Sequence, residues 1–291
     1  MKLTSASRVL VTGAASGLGL ALVTQLAGRG CRVLATDVHA DVPASLAPLD
    51  GVTYRTLDVT SDVDWLAARD WVEEQWGGLD ALFNNAGVAA GGRIELTEMD
   101  QWQWIVDINL LGVARGCRTF VPMMKTAASA GVPGLGEPPS TERSGVLGGG
   151  RQTTAVLVNT ASAAGLIHPP RMSEYNAVKA GVVALSETLR HELKPFGIQV
   201  SVVCPTFFKT NLTSSMRGKD EAAQASAAKL IDGSRRTADD IATVVLAQVD
   251  RGTHIVLTDR EGRLAYAAKR FLRPLYYREM AKAAVRMARK D

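Results

Sequence analysis

Tyr175 and Lys179 stand four residues apart in the run Ser173-Glu174-Tyr175-Asn176-Ala177-Val178-Lys179. Residues at that spacing stack on one face of a helix, so the run brings a phenol and an ammonium into one site. A phenol is a poor base in water, with a pKa of about 10. A cation at ~4 Å in an effective dielectric of ~20 favours the phenolate by up to ~4 kcal/mol, roughly three pKa units. A tyrosine tuned that far exchanges a proton with an alcohol or a ketone near neutral pH, as hydride chemistry at a carbonyl carbon requires. Alone, the pair reads first as an exposed tyrosine packed along a lysine stem. Residues upstream decide between the two.

Arg8 to Val11 is a short β-branched, apolar stretch; glycines follow, then apolar residues at helical spacing from Leu18 to Leu22. This predicts strand, glycine turn, helix. Glycines let a backbone approach a phosphate, and the free N–H groups and positive end of the following helix attract a pyrophosphate. Gly13, Gly17 and Gly19 follow Gly-x-x-x-Gly-x-Gly rather than Gly-x-Gly-x-x-Gly. By themselves they leave phosphate binding and simple chain turning both open. The next strand, Arg32 to Thr36, ends in Asp37, 18 residues past Gly19. From that position a carboxylate accepts hydrogen bonds from both hydroxyls of an adenosine ribose. It also repels a 2′-phosphate, to which neither Ala15 nor Val38 offers a basic partner. The expected cofactor is therefore NAD in preference to NADP.

Further residues fall in an ordered set: Asp58-Val59, Asn84-Asn85-Ala86-Gly87, Asn109 within Ile108-Asn109-Leu110-Leu111-Gly112, and Ser162, which precedes Tyr175 by 13 residues. With the glycine turn and the Tyr175/Lys179 pair, this set resembles the short-chain dehydrogenase/reductase family over about residues 8–258. The resemblance implies an α/β fold, a Rossmann-like doubly wound parallel sheet with helices on both faces in a single domain. It places Gly13, Ser16, Gly17, Leu18 and Gly19 at the cofactor phosphates and Asp37 at the ribose. Asp58 would accept from the adenine amine while the Val59 amide donates to a ring nitrogen. Asn85, Ala86 and Gly87 close a strand edge where the cofactor lies; Asn85 and Ala86 read equally well as braces of the sheet. Tyr175 and Lys179 would also contact the nicotinamide ribose, and Pro205 and Thr210 the nicotinamide. Asn109, an amide in an apolar helix, needs partners; its implied role is to hold a water that links Lys179 to solvent. Ser162 would orient the substrate oxygen toward Tyr175. As a nucleophile it has no partner, since His168 and His191 complete no Ser-His-Asp order with an elbow sequence. One departure stands in Pro205-Thr206, where the family usually has Pro-Gly.

The 291 residues are 46% hydrophobic and 21% charged, an ordinary globular make-up sufficient for one large core. Strands are expected near Arg8–Val11, Arg32–Thr36, Thr53–Leu57, Ala81–Phe83, Ala155–Asn159, Gln199–Val203 and His254–Leu257, and long helices over Met99–Lys125 and Ser173–Lys194. In the family those two helices build a four-helix bundle with a second subunit, so a homo-oligomer, dimer or tetramer, is implied. Cys31, Cys117 and Cys204 lack ligand-like spacing and read as packing residues in a reducing compartment. No metal site is expected. Without a leader or a long apolar run, the expected location is cytoplasmic.

The domain is expected to cover residues 1–259, with a surface insertion at 128–152 rich in glycine and proline, and a substrate lid at 207–230. Phe207, Phe208, Leu212 and Met216 give the lid apolar surface, which points to a hydrophobic secondary alcohol, steroid-like or long-chain, as the small-molecule substrate. Reduction of a 3-oxoacyl thioester, or a nucleotide-sensing protein without turnover, are the alternatives. Residues 260–291 form a basic extension of ten basic and three acidic residues, +7, which leaves −3 for the rest of a chain whose net charge is +4. Pro274 should divide it into two helices, with Tyr276, Met280, Ala284 and Met287 as a stripe on the second. Docking on the protein is favoured over rest on an anionic membrane. Nucleic acid is not expected, for want of a binding module.

Overall fold

The computed structural model describes residues 1–130 and 154–289. Strands and helices alternate as β1 Arg8–Thr12, α1 Gly17–Gly28, β2 Arg32–Asp37, β3 Val52–Thr56, α2 Asp62–Trp76, β4 Ala81–Asn84, α3 Met99–Val106, α4 Gly112–Ala130, β5 Ala155–Thr160, α5 Ala164–Ile167, α6 Ser173–Leu193, β6 Ile198–Cys204, α7 Glu221–Asp232, α8 Ala238–Asp250, β7 Ile255–Leu257, α9 Arg260–Phe271 and α10 Arg273–Ala288. The seven strands pair in parallel in the order β3-β2-β1-β4-β5-β6-β7. Strand order reverses between β1 and β4, which opens a crevice at their carboxyl ends where ligands of such sheets bind.

Both faces of the sheet are covered, and the central strands β1, β4 and β5 accordingly carry largely apolar runs, whereas the edge strand β3 is partly exposed. In β1, Val9 and Val11 join a core with Leu22 and Leu26 of α1 and Val245 and Leu246 of α8. Leu10 points the other way, into a core with Trp65 of α2, Phe120 of α4 and Val182 of α6. Local signals stop and start the helices. Ser61 accepts from the Asp64 amide to open α2, and Gly77 closes it at φ 67°. Thr237 and Asp240 cap each other's backbone at the start of α8.

Several boundaries differ from the sequence expectation. The expected helix over Met99–Lys125 is broken into α3 and α4 by a wider π-helical turn, Asp107–Leu111. Propensity carries no trace of that turn, which tertiary contacts of Asn109 explain below. Strands β3, β6 and β7 are displaced by about one residue from their expected limits. The expected insertion at 128–152 lies outside the described residues, except 128–130, which end α4. The tail divides as expected, with Pro274 in the first turn of α10. Its inward face differs from the expected stripe at two positions: Tyr276 is buried and Met280 and Ala283 are half-buried, whereas Ala284 and Met287 are exposed. Among the described residues no helix is long and apolar enough to cross a membrane.

Candidate active site

The glycine turn joins β1 to α1 at the crevice. Gly13 and Gly17 have φ of 65° and 54°, in the left-handed region open to glycine. Gly19 is needed for a different reason: a Cβ there would lie 1.9 Å from the Gly13 carbonyl oxygen. Ser16 precedes α1 in extended backbone without a side-chain cap, and the first turn, including Leu18, carries no acidic residue. The amides at this helix end are thus left to an anion from outside, a fit to a nucleotide pyrophosphate. Asp37 ends β2 beside the turn; its Oδ2 accepts from the Ala15 amide at 2.9 Å and its Oδ1 from the His39 amide at 3.3 Å. Nearby, burial, then Asp37 and Asp41, push the Tyr54 phenol up to about 12. The neighbourhood is negative. At the end of β3, Thr60 donates to Asp58 Oδ1 from its amide at 2.9 Å and its hydroxyl at 2.8 Å. Val59 follows it and packs on Gly112.

Asn85 is committed to bracing. Its side-chain amide donates to the Thr12 carbonyl at 3.0 Å, while the Thr12 hydroxyl accepts from the Asn85 and Ala86 amides, each at 3.0 Å. Asn85 and Ala86 thus brace β1 against β4. Thr12 is the hub of that brace. Behind it, buried Asn84 donates to Asn159 at 2.9 Å, and Asn159 to Ser186 at 3.0 Å, tying β4 to β5 and α6.

Tyr175 and Lys179 share the inward face of α6, 8% and 4% exposed. Ser162 lies just past β5, and its hydroxyl donates to the Pro205 carbonyl at 3.4 Å. Ser162 Oγ also accepts from the Ala164 amide at 3.1 Å. Lys179 Nζ donates to the Thr160 carbonyl at 3.1 Å and stands 5.7 Å from the Tyr175 ring centroid. Gly87 sits against both Asn109 and Lys179, since a Cβ on it would meet Asn109 Oδ1 at 3.0 Å and Lys179 Nζ at 3.4 Å. Asn109 is fully buried; its Oδ1 accepts from the Val88 amide at 2.8 Å and its Nδ2 donates to the Val88 carbonyl at 2.9 Å. These two bonds hold the π-helical turn.

The electrostatics differ from the sequence expectation. Burial raises the Tyr175 phenol above its ordinary value, partly offset by the Ser162 hydrogen bond. Burial lowers the Lys179 ammonium to about 8, against a small favourable effect of the Cys204 thiol. The expected Coulomb effect assumed ~4 Å in a solvated setting. Here desolvation wins for both groups, because neither charge reaches water.

Pro205 follows β6 and its carbonyl accepts from the Ala163 amide at 2.8 Å. Thr206, where the family usually has glycine, donates to Asp259 Oδ2 at 2.5 Å. Thr210 lies over the glycine turn, close enough that a Cβ on Gly17 would be 2.6 Å from its hydroxyl. A cavity of about 710 Å³ beside Gly17, Lys209, Thr210 and Asp239 flanks the phosphate end and does not reach Tyr175. The segment expected to form the lid comprises a 3₁₀ turn, Asn211–Ser215, and α7. Phe207 is exposed, and Phe208 packs against the core shared by α1 and α8. Ser215 Oγ accepts from the Ala89 amide at 3.0 Å. Asp220 is 3% exposed and takes the Arg93 amide and Nε, each at 3.0 Å, so it ties the start of α7 to the loop after β4. Sequence reasoning does not reach Asp220 or Asp259; their only signal is an acid preceding a helix, a common cap.

A glycine-turn nucleotide cradle at the switch point of a parallel sheet, beside a half-buried serine and a buried tyrosine and lysine, defines a Rossmann-type oxidoreductase. The chain belongs to the short chain dehydrogenase family, whose model matches residues 7–132 and 147–221. It is 33% identical over 208 residues to the 3-alpha-(or 20-beta)-hydroxysteroid dehydrogenase of Mycobacterium tuberculosis (strain ATCC 25618 / H37Rv), a match that covers 70% of each chain. It is 29% identical over 218 residues to the NADP-dependent (R)-specific alcohol dehydrogenase of Lentilactobacillus kefiri, covering 73% of this chain and 77% of the other. A short chain dehydrogenase/reductase from Burkholderia phymatum, solved in complex with NAD, superposes with a TM-score of 0.80 at 28% identity, covering 93% of this chain and 95% of its own. The protein is thus an NAD(P)-dependent oxidoreductase acting on alcohols or ketones.

Proposed function

We propose that the protein oxidises a hydrophobic secondary alcohol with NAD, Tyr175 serving as the acid/base. The observation that carries this reading is the convergence of Ser162, Tyr175 and Lys179 in one buried place at the sheet crevice. Ser162 and Tyr175 hydrogen-bond the substrate oxygen, and Tyr175 takes its proton. Bound NAD would accept the hydride. Lys179, a buried ammonium, holds the nicotinamide ribose and favours the phenolate once both are in place. Because the Asn109 side chain is engaged by Val88, a water that returns protons from Lys179 to solvent would sit on a backbone carbonyl of the widened turn.

Gly13, Ser16, Gly17, Leu18 and Gly19 cradle the pyrophosphate; Asp37 takes the ribose, Asp58 and Val59 the adenine, and Pro205 and Thr210 the nicotinamide. Preference for NAD rests on Asp37 and the negative neighbourhood that also raises Tyr54. Cellular NAD is mostly oxidised, which favours the oxidative direction. The steroid-like or long-chain substrate draws support from the hydroxysteroid dehydrogenase relative and from half-buried Leu212 and Met216 in the lid. We assign residues 1–259 to the catalytic domain and 260–291 to an extension, with assembly as a homo-oligomer through α4 and α6. The test is a panel of secondary alcohols, steroid, long-chain and short, with a 3-oxoacyl thioester in the reverse direction, each with NAD and NADP. NADH formation is expected with the apolar alcohols; turnover confined to the thioester, or to NADP, would refute the reading.

A further inference from the structure

The C-terminal helices reach the segment that joins Ser162 to Tyr175. Lys269 of α9 donates to the Leu166 carbonyl at 2.7 Å and lies 2.5 Å from His168 Nδ1. Tyr276 of α10 donates to the Ile167 carbonyl. Two tail side chains thus hold three successive residues of the loop. The segment needs holding, since His168 and Arg171 have φ of 51° and 62°, a region that side chains with a Cβ rarely adopt. His168 fits this contact as the neutral ring, with Nε2 donating to the Gly165 carbonyl at 3.1 Å and Nδ1 accepting from Lys269.

A second contact is made just after Pro205, whose carbonyl accepts from the Ser162 hydroxyl at 3.4 Å. Asp259 caps α9 by accepting from the Gly262 amide at 2.7 Å, and the same carboxylate accepts from Thr206. The departure from Pro-Gly after β6 therefore has a partner in the residue that caps the first tail helix. Helix α10 is not docked by apolar area: Tyr276 is its one buried residue, while Leu275, Tyr277 and Val285 are about half exposed. Its attachment to the body concentrates in a phenol aimed at a loop carbonyl.

We propose that Lys269 and Tyr276 are positioning residues of the reaction: they set the 163–172 segment, and through it the angle at which Ser162 and Tyr175 meet the alcohol oxygen. The proposal rests on the assignment of Ser162 and Tyr175 to that oxygen. It separates this tail from a mere clasp, which would affect stability and nothing else.

The experiment compares Lys269→Met, Tyr276→Phe and Lys269→Arg with the wild type and with Arg286→Ala, a change on the exposed face of α10. Amide hydrogen exchange of the 163–172 segment is measured with NADH bound, alongside NADH affinity by fluorescence and kcat/KM for an alcohol that the wild type oxidises. Lys269→Met and Tyr276→Phe should each speed exchange in the segment and lower kcat/KM about three- to tenfold, the factor that one lost hydrogen bond represents. NADH affinity should stay within about twofold on the same scale. Lys269→Arg, which keeps a donor for the Leu166 carbonyl, should recover most of the loss, and Arg286→Ala should match the wild type. Unchanged exchange would overturn the proposal. So would faster exchange with unchanged kcat/KM, the result a clasp gives. Exchange is read without turnover, so a wild type inactive on every alcohol would sink the assigned reaction while the exchange result still judged the tail contacts.

Discussion

Replacing Lys179 by methionine should make the cofactor-free protein more stable and less able to use its cofactor. The ammonium is 4% exposed, and burial lowers its pKa from 10.5 to about 8. That displacement corresponds to ~3 kcal/mol of destabilisation at neutral pH, at ~1.4 kcal/mol per pKa unit. Methionine fills a similar volume without the charge, but it forfeits the charge-assisted bond to the Thr160 carbonyl, worth about 2 kcal/mol. The expected net gain is about 1 kcal/mol at about pH 7. The sign depends on pH in a defined way. Below pH about 8 the lysine is protonated in both states, and the penalty is complete. Between there and 10.5 the unfolded wild type holds more protons than the folded one, so wild-type stability climbs relative to the variant. Urea unfolding without cofactor at about pH 7 and about pH 9.5 should therefore show the gap narrowing with pH. NADH affinity and turnover should both fall in the variant. A variant less stable than the wild type at neutral pH, or a gap indifferent to pH, would mean that Lys179 is not held charged against its burial.

Tyr175→Phe should leave NADH affinity nearly intact and lower kcat by at least ~10²-fold, the low end for positioned acid/base catalysis; retained turnover would remove Tyr175 from that role. Asp37→Ala should weaken NAD and narrow its advantage over NADP, read from kcat/KM with each cofactor. A wild type that prefers NADP would contradict the assignment. Gly19→Ala would set a Cβ 1.9 Å from the Gly13 carbonyl, so the turn must open; stability should drop by ~1–3 kcal/mol and NADH binding weaken, both visible in a thermal-shift titration. Unaltered melting and affinity would show that the turn is not closed as described. Asp220→Asn keeps the size of the latch residue but removes its charge toward Arg93, and should raise KM for the alcohol about tenfold, as loss of a charge-assisted bond predicts. An unchanged KM would show that the lid does not depend on this contact.

The nucleotide half was legible because its chemistry is local. A strand, a glycine turn and a helix start need only neighbours in the chain, and Asp37 needs only the strand that ends in it. Likewise Tyr175 and Lys179 meet because a helix repeats, whatever surrounds it. The central strands β1, β4 and β5 were readable as largely apolar runs, since they are buried on both faces. What surrounds these elements was not readable. Desolvation of Lys179 comes from side chains distant in sequence, so the direction of its pKa shift belongs to the tertiary structure alone. The π-helical turn at Asp107–Leu111 follows from Asn109 bonding Val88, 21 residues away. The same holds for Asp220 against Arg93 and for Lys269 and Tyr276 against the 166–168 backbone, pairs separated by about a hundred residues or more. A periodicity states which way a side chain points on its own element; only the packed fold decides which carbonyl, carboxylate or ring waits there, and how much water is left between them.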